Sequence, residues 1–368
     1  MRRDMGVVIF IFTFAVIAFG LIALYSASYQ NMRVSHKVFY DQVVFSVLGL
    51  FMLLYLSHVD YRKFYDMAYF IYGGSVILLI LVLVAGRHAL GAQRWFSIAG
   101  ISFQPSELAK VSLIFGLARY FSDRRSAFSP RARSSVGVLW RDLVVPLLIT
   151  LVPMLLVFKQ PDLGTSLLFF GIFIFMLFAS GLRYRYILGF LMGCLILMPF
   201  GWHVIKPYQK DRLLVFLNPN IDPLGAGYTI IQSKIAVGSG RLWGKGWLSG
   251  TQNQLNFLPE RHTDFIFSVI GEEWGLLGTL IFLLCYGVVI YAGLKVAEQV
   301  KDRFGMQMAV GMIAIFSLQV LINIGMVLGM CPVVGITLPL VSYGRTSFMV
   351  SLFMIGVLLN LSKRHTIF

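Results

Sequence analysis

Ten stretches of this chain are apolar for long enough to cross a hydrocarbon layer, and no other feature limits its fold as much. They run over residues 6–28, 40–57, 67–86, 106–121, 143–158, 163–182, 187–204, 264–294, 306–328 and 343–362. A helical span needs about 20 predominantly apolar residues. Only a helix or a closed barrel satisfies its own backbone in lipid, and these segments lack the alternation of barrel strands. Composition agrees: 58% of the residues are hydrophobic and 13% charged, with a mean hydropathy of +0.80, where a soluble domain carries about a quarter charged residues. The expectation is an all-α polytopic membrane protein, one domain over 1–368. The run after Met1–Asp4 is too long for a signal-peptide core and no convincing cleavage site follows it, so it reads as an uncleaved first span.

Charge supplies the orientation. With the N-terminus inside, the inner segments carry Arg2, Arg3, Arg62, Lys63, Arg119, Arg124, Arg125, Arg131, Arg133, Arg141, Arg183, Arg185, Lys295, Lys301, Arg303, Lys363 and Arg364. The short outer loops carry only Arg33, Lys37, Arg87, Arg94, Lys159 and Arg345. The positive-inside rule favours this arrangement, with both termini cytoplasmic. The net charge of +15 therefore belongs mainly to membrane anchoring and calls for no nucleic-acid partner. Cys194, Cys285 and Cys331 show neither disulfide nor zinc spacing, and the segment 122–142, rich in Arg and Ser, reads as an anchoring loop.

Two outer loops stand out. Residues 87–105 are rich in Gly, Arg and Trp. Residues 205–263, between the seventh and eighth spans, are too many for a mere connector. This long loop mixes Lys206, Lys210, Arg212, Lys234, Arg241, Lys245 and Arg261 with Tyr208, Tyr228, Trp243 and Trp247. Such a mixture suits an anionic, partly apolar headgroup, or else an ordinary aromatic belt.

Four blocks carry the ionisable residues. In GAQRWFSIAGISFQPSELAK, residues 91–110, Ser106 is a candidate helix cap, and Glu107 and Lys110 fall on one helix face. They form either a structural pair or a lysine aimed at phosphate. In KQPDLGTS, residues 159–166, Asp162 caps the sixth helix or meets a substrate or cation. In LPERHTDFIFSVIGEEWGLLG, residues 258–278, Glu260, Arg261, His262 and Asp264 crowd a helix mouth, where burial would raise a carboxylate toward the range of a general base. If that helix runs straight, Glu272 and Glu273 lie deep in the span and must face protein. In GMCPVVGITLPLVSYGRTS, residues 329–347, Gly and Pro break the helix, as in a re-entrant segment lining a cavity.

Together the pieces GAQRWF with QPSELAK, QPDLGTS, YQKDRLLVFLNP, LPERHTDFIF with GEEWG, and NIGMVLGMCPVVGITLPLVSYG resemble the SEDS family (shape, elongation, division and sporulation), in the family's order and over most of the chain. The resemblance is closer to its elongation branch than to its division branch. It implies a peptidoglycan glycosyltransferase that joins lipid II units through β-1,4 bonds on the outer face of the cytoplasmic membrane, with inversion, releasing undecaprenyl diphosphate. It implies Asp264 as the catalytic carboxylate. Trp95, Glu107, Lys110 and Asp162 fall on the family's motif positions, and Arg94, Lys210, Arg212 and Arg261 are further candidates for binding the substrate. The implied partners are a class B penicillin-binding protein and the elongation machinery. No cofactor is called for, although a divalent cation, Mg or Mn, has room beside the diphosphate. One departure is Arg345, where the family usually has Gly; its guanidinium would contact a phosphate or narrow the site. Two other functions fit a polytopic chain with intramembrane charges: a lipid II flippase, and a non-catalytic scaffold for the penicillin-binding protein.

Overall fold

The computed structural model describes residues 4–29, 32–89, 92–98, 101–124, 136–204, 207–225 and 227–364. Arg2, Arg3, Arg125, Arg131, Arg133 and Lys206 of the charge pattern, and Gly91 of the first block, lie outside them. Ten long helices occupy the ten apolar segments: α1 (Asp4–Ser28), α2 (Met32–Leu56), α3 (Arg62–Ala85), α4 (Pro105–Asp123), α5 (Val136–Lys159), α6 (Leu163–Ala179), α7 (Tyr184–Val204), α11 (Ile266–Gln299), α12 (Arg303–Val327) and α13 (Arg345–Arg364). The shorter α8 (Pro207–Leu217), α9 (Tyr228–Ser239) and α10 (Thr251–Gln254) lie between α7 and α11. Seven of the described helices are long and apolar enough to cross a membrane by themselves, namely α1, α2, α3, α5, α11, α12 and α13.

The apparent exceptions have physical reasons. α4 carries Glu107, Lys110, Arg119 and Asp123, yet nearly all of its residues are buried, because it packs against α3, α5, α6, α12 and α13. A helix surrounded by protein does not need the hydropathy of one that faces lipid. α12 and α13 are also mostly buried, whereas α2, α3 and α5 turn most of their surface outward. α6 is apolar but has only 17 residues.

Three expectations are corrected. The chain is not all helix: β1 (Arg87–Ala89), β2 (Ala92–Ile98) and β3 (Ile101–Phe103) form a small antiparallel sheet, in that order. Trp95 pairs with Arg87, and Phe96 with Phe103. Two short hairpin arms punctuated by glycine are a weak strand signal beside so many helices. Ser106 does not cap α4. The helix begins at Pro105, whose fixed φ suits the first helical position, after an extended Gln104, and the Ser106 hydroxyl is buried without a partner.

Nor is the predicted span 264–294 continuous. α11 starts at Ile266 and is broken at Gly275, where φ is +64° and ψ −163°. Glu272 and Glu273 sit just before the break and are fully buried. Residues 241–246, from the segment between α7 and α11, fill the gap left by the missing helical bonds. Lys245 N and Gly246 N donate to the carbonyls of Glu272 and Glu273, while Leu276 N and Leu277 N donate to those of Arg241 and Leu242. The Lys245 ammonium meets Glu272 at 2.7 Å, Thr251 Oγ1 and Gln252 N bond the same carboxylate, and Ser26 of α1 donates to Glu273.

Candidate active site at one end of the bundle

The N-terminal ends of α4, α6, α11 and α13 meet the C-terminal ends of α3, α5 and α12 at one end of the bundle, together with the sheet and α8. Asp264 lies there, two residues before α11. Burial pushes its carboxyl up from the ordinary aspartate value to about 7; Glu260 and Asp162 push the same way, and Arg212 and Arg94 oppose them. The segment after α12 also comes close: a Cβ on Gly335, whose φ is +72°, would stand 3.5 Å from Asp264 Oδ2.

Asp162 caps α6, as the sequence suggested. Oδ1 accepts from Thr165 N at 3.1 Å and Oδ2 from Thr165 Oγ1 at 3.0 Å. Arg94, on β2, donates to the carbonyls of Gln160 and Pro161 and stands 3.7 Å from Asp162, so the sheet is pinned to the turn between α5 and α6. Gly164 holds this turn against the segment after α12: a Cβ there would meet the Val334 carbonyl at 2.6 Å. Arg212, exposed on α8, donates to the neighbouring Val333 carbonyl at 3.2 Å. Asp162, Asp264, Arg94 and Arg212 therefore gather around residues 333–335.

The remaining candidates divide. Lys110 and Glu107 form a closed pair at 2.8 Å, with side chains 1% and 8% exposed, and no hydrogen bond or ion pair among the described residues joins them to Asp264. Trp95 is half-buried on β2, and Lys210 lies two residues before Arg212 on α8. Arg261 turns the other way, donating to the Ala27 carbonyl at the end of α1 at 2.8 Å and to Asn256. Burial lowers its pKa. Arg345 pairs with Asp41 of α2, over the ring of Phe45 at 5.7 Å, and Tyr343 shares the same carboxylate. That pair gives Arg345 a structural partner. Among the described residues no three His, Cys, Asp or Glu side chains converge as metal ligands. Asp162 is committed to its cap and to Arg94.

Sequence reasoning passed over Asn323 and Ser342. Asn323 on α12 is fully buried and donates from one amide nitrogen to the carbonyls of Asp264 and Ile336, at 2.9 and 2.7 Å. Ser342 Oγ donates to the Thr263 carbonyl at 2.5 Å and accepts from Leu338 N at 2.8 Å. An asparagine inside an apolar helix was the available signal.

Residues 7–367 match the family model FTSW_RODA_SPOVE, described as "Cell cycle protein". The chain is 40% identical over 348 residues to the peptidoglycan glycosyltransferase MrdB of Escherichia coli (strain K12), an alignment covering 94% of this chain and 90% of that protein. Its structure is similar to one described as "Structural coordination of polymerization and crosslinking by a peptidoglycan synthase complex", with a TM-score of 0.82 and 32% identity over 98% of both chains. It is also similar to the crystal structure of the rod shape determining protein RodA of Thermus thermophilus, with a TM-score of 0.70 and 29% identity, covering 96% of this chain and 95% of that one.

Proposed function

We propose, from the premise that this chain belongs to the cell cycle protein family of FtsW, RodA and SpoVE, that it is a peptidoglycan glycosyltransferase of the elongation branch. It is a multi-pass protein of the bacterial cytoplasmic membrane, one membrane domain of ten spans with both termini inside and residues 205–263 outside. Its substrate is lipid II, its product a β-1,4 glycan strand, and undecaprenyl diphosphate is released. It works with a class B penicillin-binding protein within the elongation machinery. The likeness to a peptidoglycan synthase complex supports such a partner.

The observation that carries the mechanism is a carboxyl tuned to about 7 beside two guanidinium groups. A general base works best with a pKa near the operating pH. Asp264 takes the proton of the acceptor hydroxyl as that oxygen attacks the anomeric carbon of the donor. The bond from that carbon to the diphosphate oxygen breaks on the opposite face, which turns an α linkage into a β one. The negative charge that builds on the leaving diphosphate meets fixed cations. Arg212 is the best placed of these, being exposed and bonded to one backbone carbonyl, with Lys210 on the same helix. Arg94 and Asp162 hold the turn opposite. Glu107 and Lys110 supply a buried charge pair at the start of α4, where Lys110 can exchange Glu107 for a phosphate, and Trp95 lines the entrance. Arg261 supports the outer loop rather than the headgroup.

The test is polymerisation of purified lipid II by the detergent-purified protein with its cognate penicillin-binding protein. Wild type should give long strands and Asp264→Ala none, with the complex intact in both. Strand synthesis by Asp264→Ala at the wild-type rate would remove the catalytic assignment. Failure of both proteins would favour lipid translocation or scaffolding.

A further inference from the structure

Three successive carbonyls around the candidate base are each tied to the far end of the chain. His262 O accepts from Tyr343 N at 2.8 Å, Thr263 O from Ser342 Oγ at 2.5 Å, and Asp264 O from Asn323 Nδ2 at 2.9 Å. The last bond differs from the other two. The same amide nitrogen also donates to Ile336 O at 2.7 Å, so one rigid side chain on α12 spans the backbone of the base and the segment whose Gly335 faces the Asp264 carboxylate. The amide spends both hydrogens on these carbonyls, while its own oxygen is buried without a partner. Leaving that oxygen unmatched has a cost, and a plain packing role would be served as well by leucine.

We infer that Asn323 is a positioning residue for the general base: it fixes the Asp264 backbone against residues 335–336 so that the carboxylate faces the acceptor hydroxyl. The inference rests on the reading of Asp264 as that base. A carboxylate free to swing by an ångström spends most of its time out of line for proton transfer, which lowers turnover without changing how the lipid headgroup is held.

Two variants test it in the reconstituted polymerisation assay, using the full chain with its penicillin-binding partner. Asn323→Leu keeps the volume and removes both donated bonds; Ser342→Ala removes the adjacent bond to Thr263. We expect Asn323→Leu to lower kcat about tenfold or more per folded molecule, with KM within about threefold of wild type. The acid limb of the rate profile should move to lower pH, because a loosened Asp264 gains water. Glu260, Asp162, Arg212 and Arg94, the charges that act most strongly on Asp264, are all unchanged in the variant. Ser342→Ala should show the same two effects in weaker form. A purely structural asparagine would change yield and melting temperature and leave the limb and the kcat in place, and that result would overturn the inference. If Asn323→Leu gives no folded protein, Ser342→Ala decides by the same readouts. Asp264→Asn, run alongside, separates the two claims: if it polymerises normally the base itself is misassigned, and if it is dead while Asn323→Leu matches wild type, only the positioning role falls.

Discussion

A single carboxyl carries an opposition between stability and activity. Asp264 titrates near 7 in the folded chain against about 3.8 for an ordinary aspartate. The unfolded chain therefore loses this proton first as the pH rises, and stability falls between roughly pH 4 and pH 7. No hydrogen bond to the carboxylate is present among the described residues to offset that cost. Asp264→Asn keeps the shape and removes the charge. It should melt a few degrees higher than wild type at pH 8, with the gain shrinking toward pH 4, while polymerising no lipid II. Thermal unfolding in detergent at the two pH values checks this; a variant less stable at pH 8 would mean that the carboxylate has a stabilising partner. The same residue shows what can be read from sequence. Four charged side chains at a helix mouth marked the place, but they did not say that Arg261 turns to α1 while Arg212, some fifty positions earlier, reaches the Val333 carbonyl. Side-chain direction at a loop is set by the neighbouring backbone, and that backbone comes from distant segments.

At the level of elements, the least foreseeable feature is the break in α11. The sequence GEEWGLLG has the apolar content of a continuous span, and only the long-range fit with the segment between α7 and α11 explains its interruption. Gly244, at φ +80°, and Gly275, at φ +64°, lie back to back, and a Cβ on either would run into the other strand's backbone. Both are positions where a left-handed conformation and a close approach coincide. Gly275→Ala should therefore cost about 1–3 kcal/mol in backbone strain alone, with the clash in addition. It would release Lys245 from Glu272 and leave that buried carboxylate without its ammonium partner. The expected result is a sharp fall in folded yield together with protease cleavage between residues 240 and 256. Wild-type yield and protease resistance would show that the latch is dispensable. The ten long helices, by contrast, were legible, because each depends on a local run of apolar residues. α4 was legible in the same way, as the apolar run 106–121, while its burial on nearly every side came only with the packing of its neighbours.

At the scale of the molecule, polar ties collect at the two ends of the bundle. Around Asp264 lie the sheet, α8 and residues 333–343. At the opposite end Tyr61 bonds Asp302 at 2.7 Å, Lys363 meets Ser57 at 3.0 Å, and Arg124 stands 3.8 Å from Asp142. Helices that alternate in direction between two polar ends fit a membrane between them, and the proposed orientation sets the second end, with its surplus of Lys and Arg, in the cytoplasm. Accessibility to a membrane-impermeant maleimide tests this directly. In a variant with Cys194, Cys285 and Cys331 replaced by serine, Asn220→Cys, exposed beyond α8, should label on spheroplasts with intact membranes. Glu298→Cys, exposed near the end of α11, should label only after lysis. The reverse pattern would place the Asp264 site inside the cell, among soluble nucleotides rather than beside the wall. A chain in that orientation would have no access to a growing strand, however well its carboxylate is tuned. The orientation is thus a condition of the proposed chemistry, and one pair of labelling reactions can refute it without any lipid substrate.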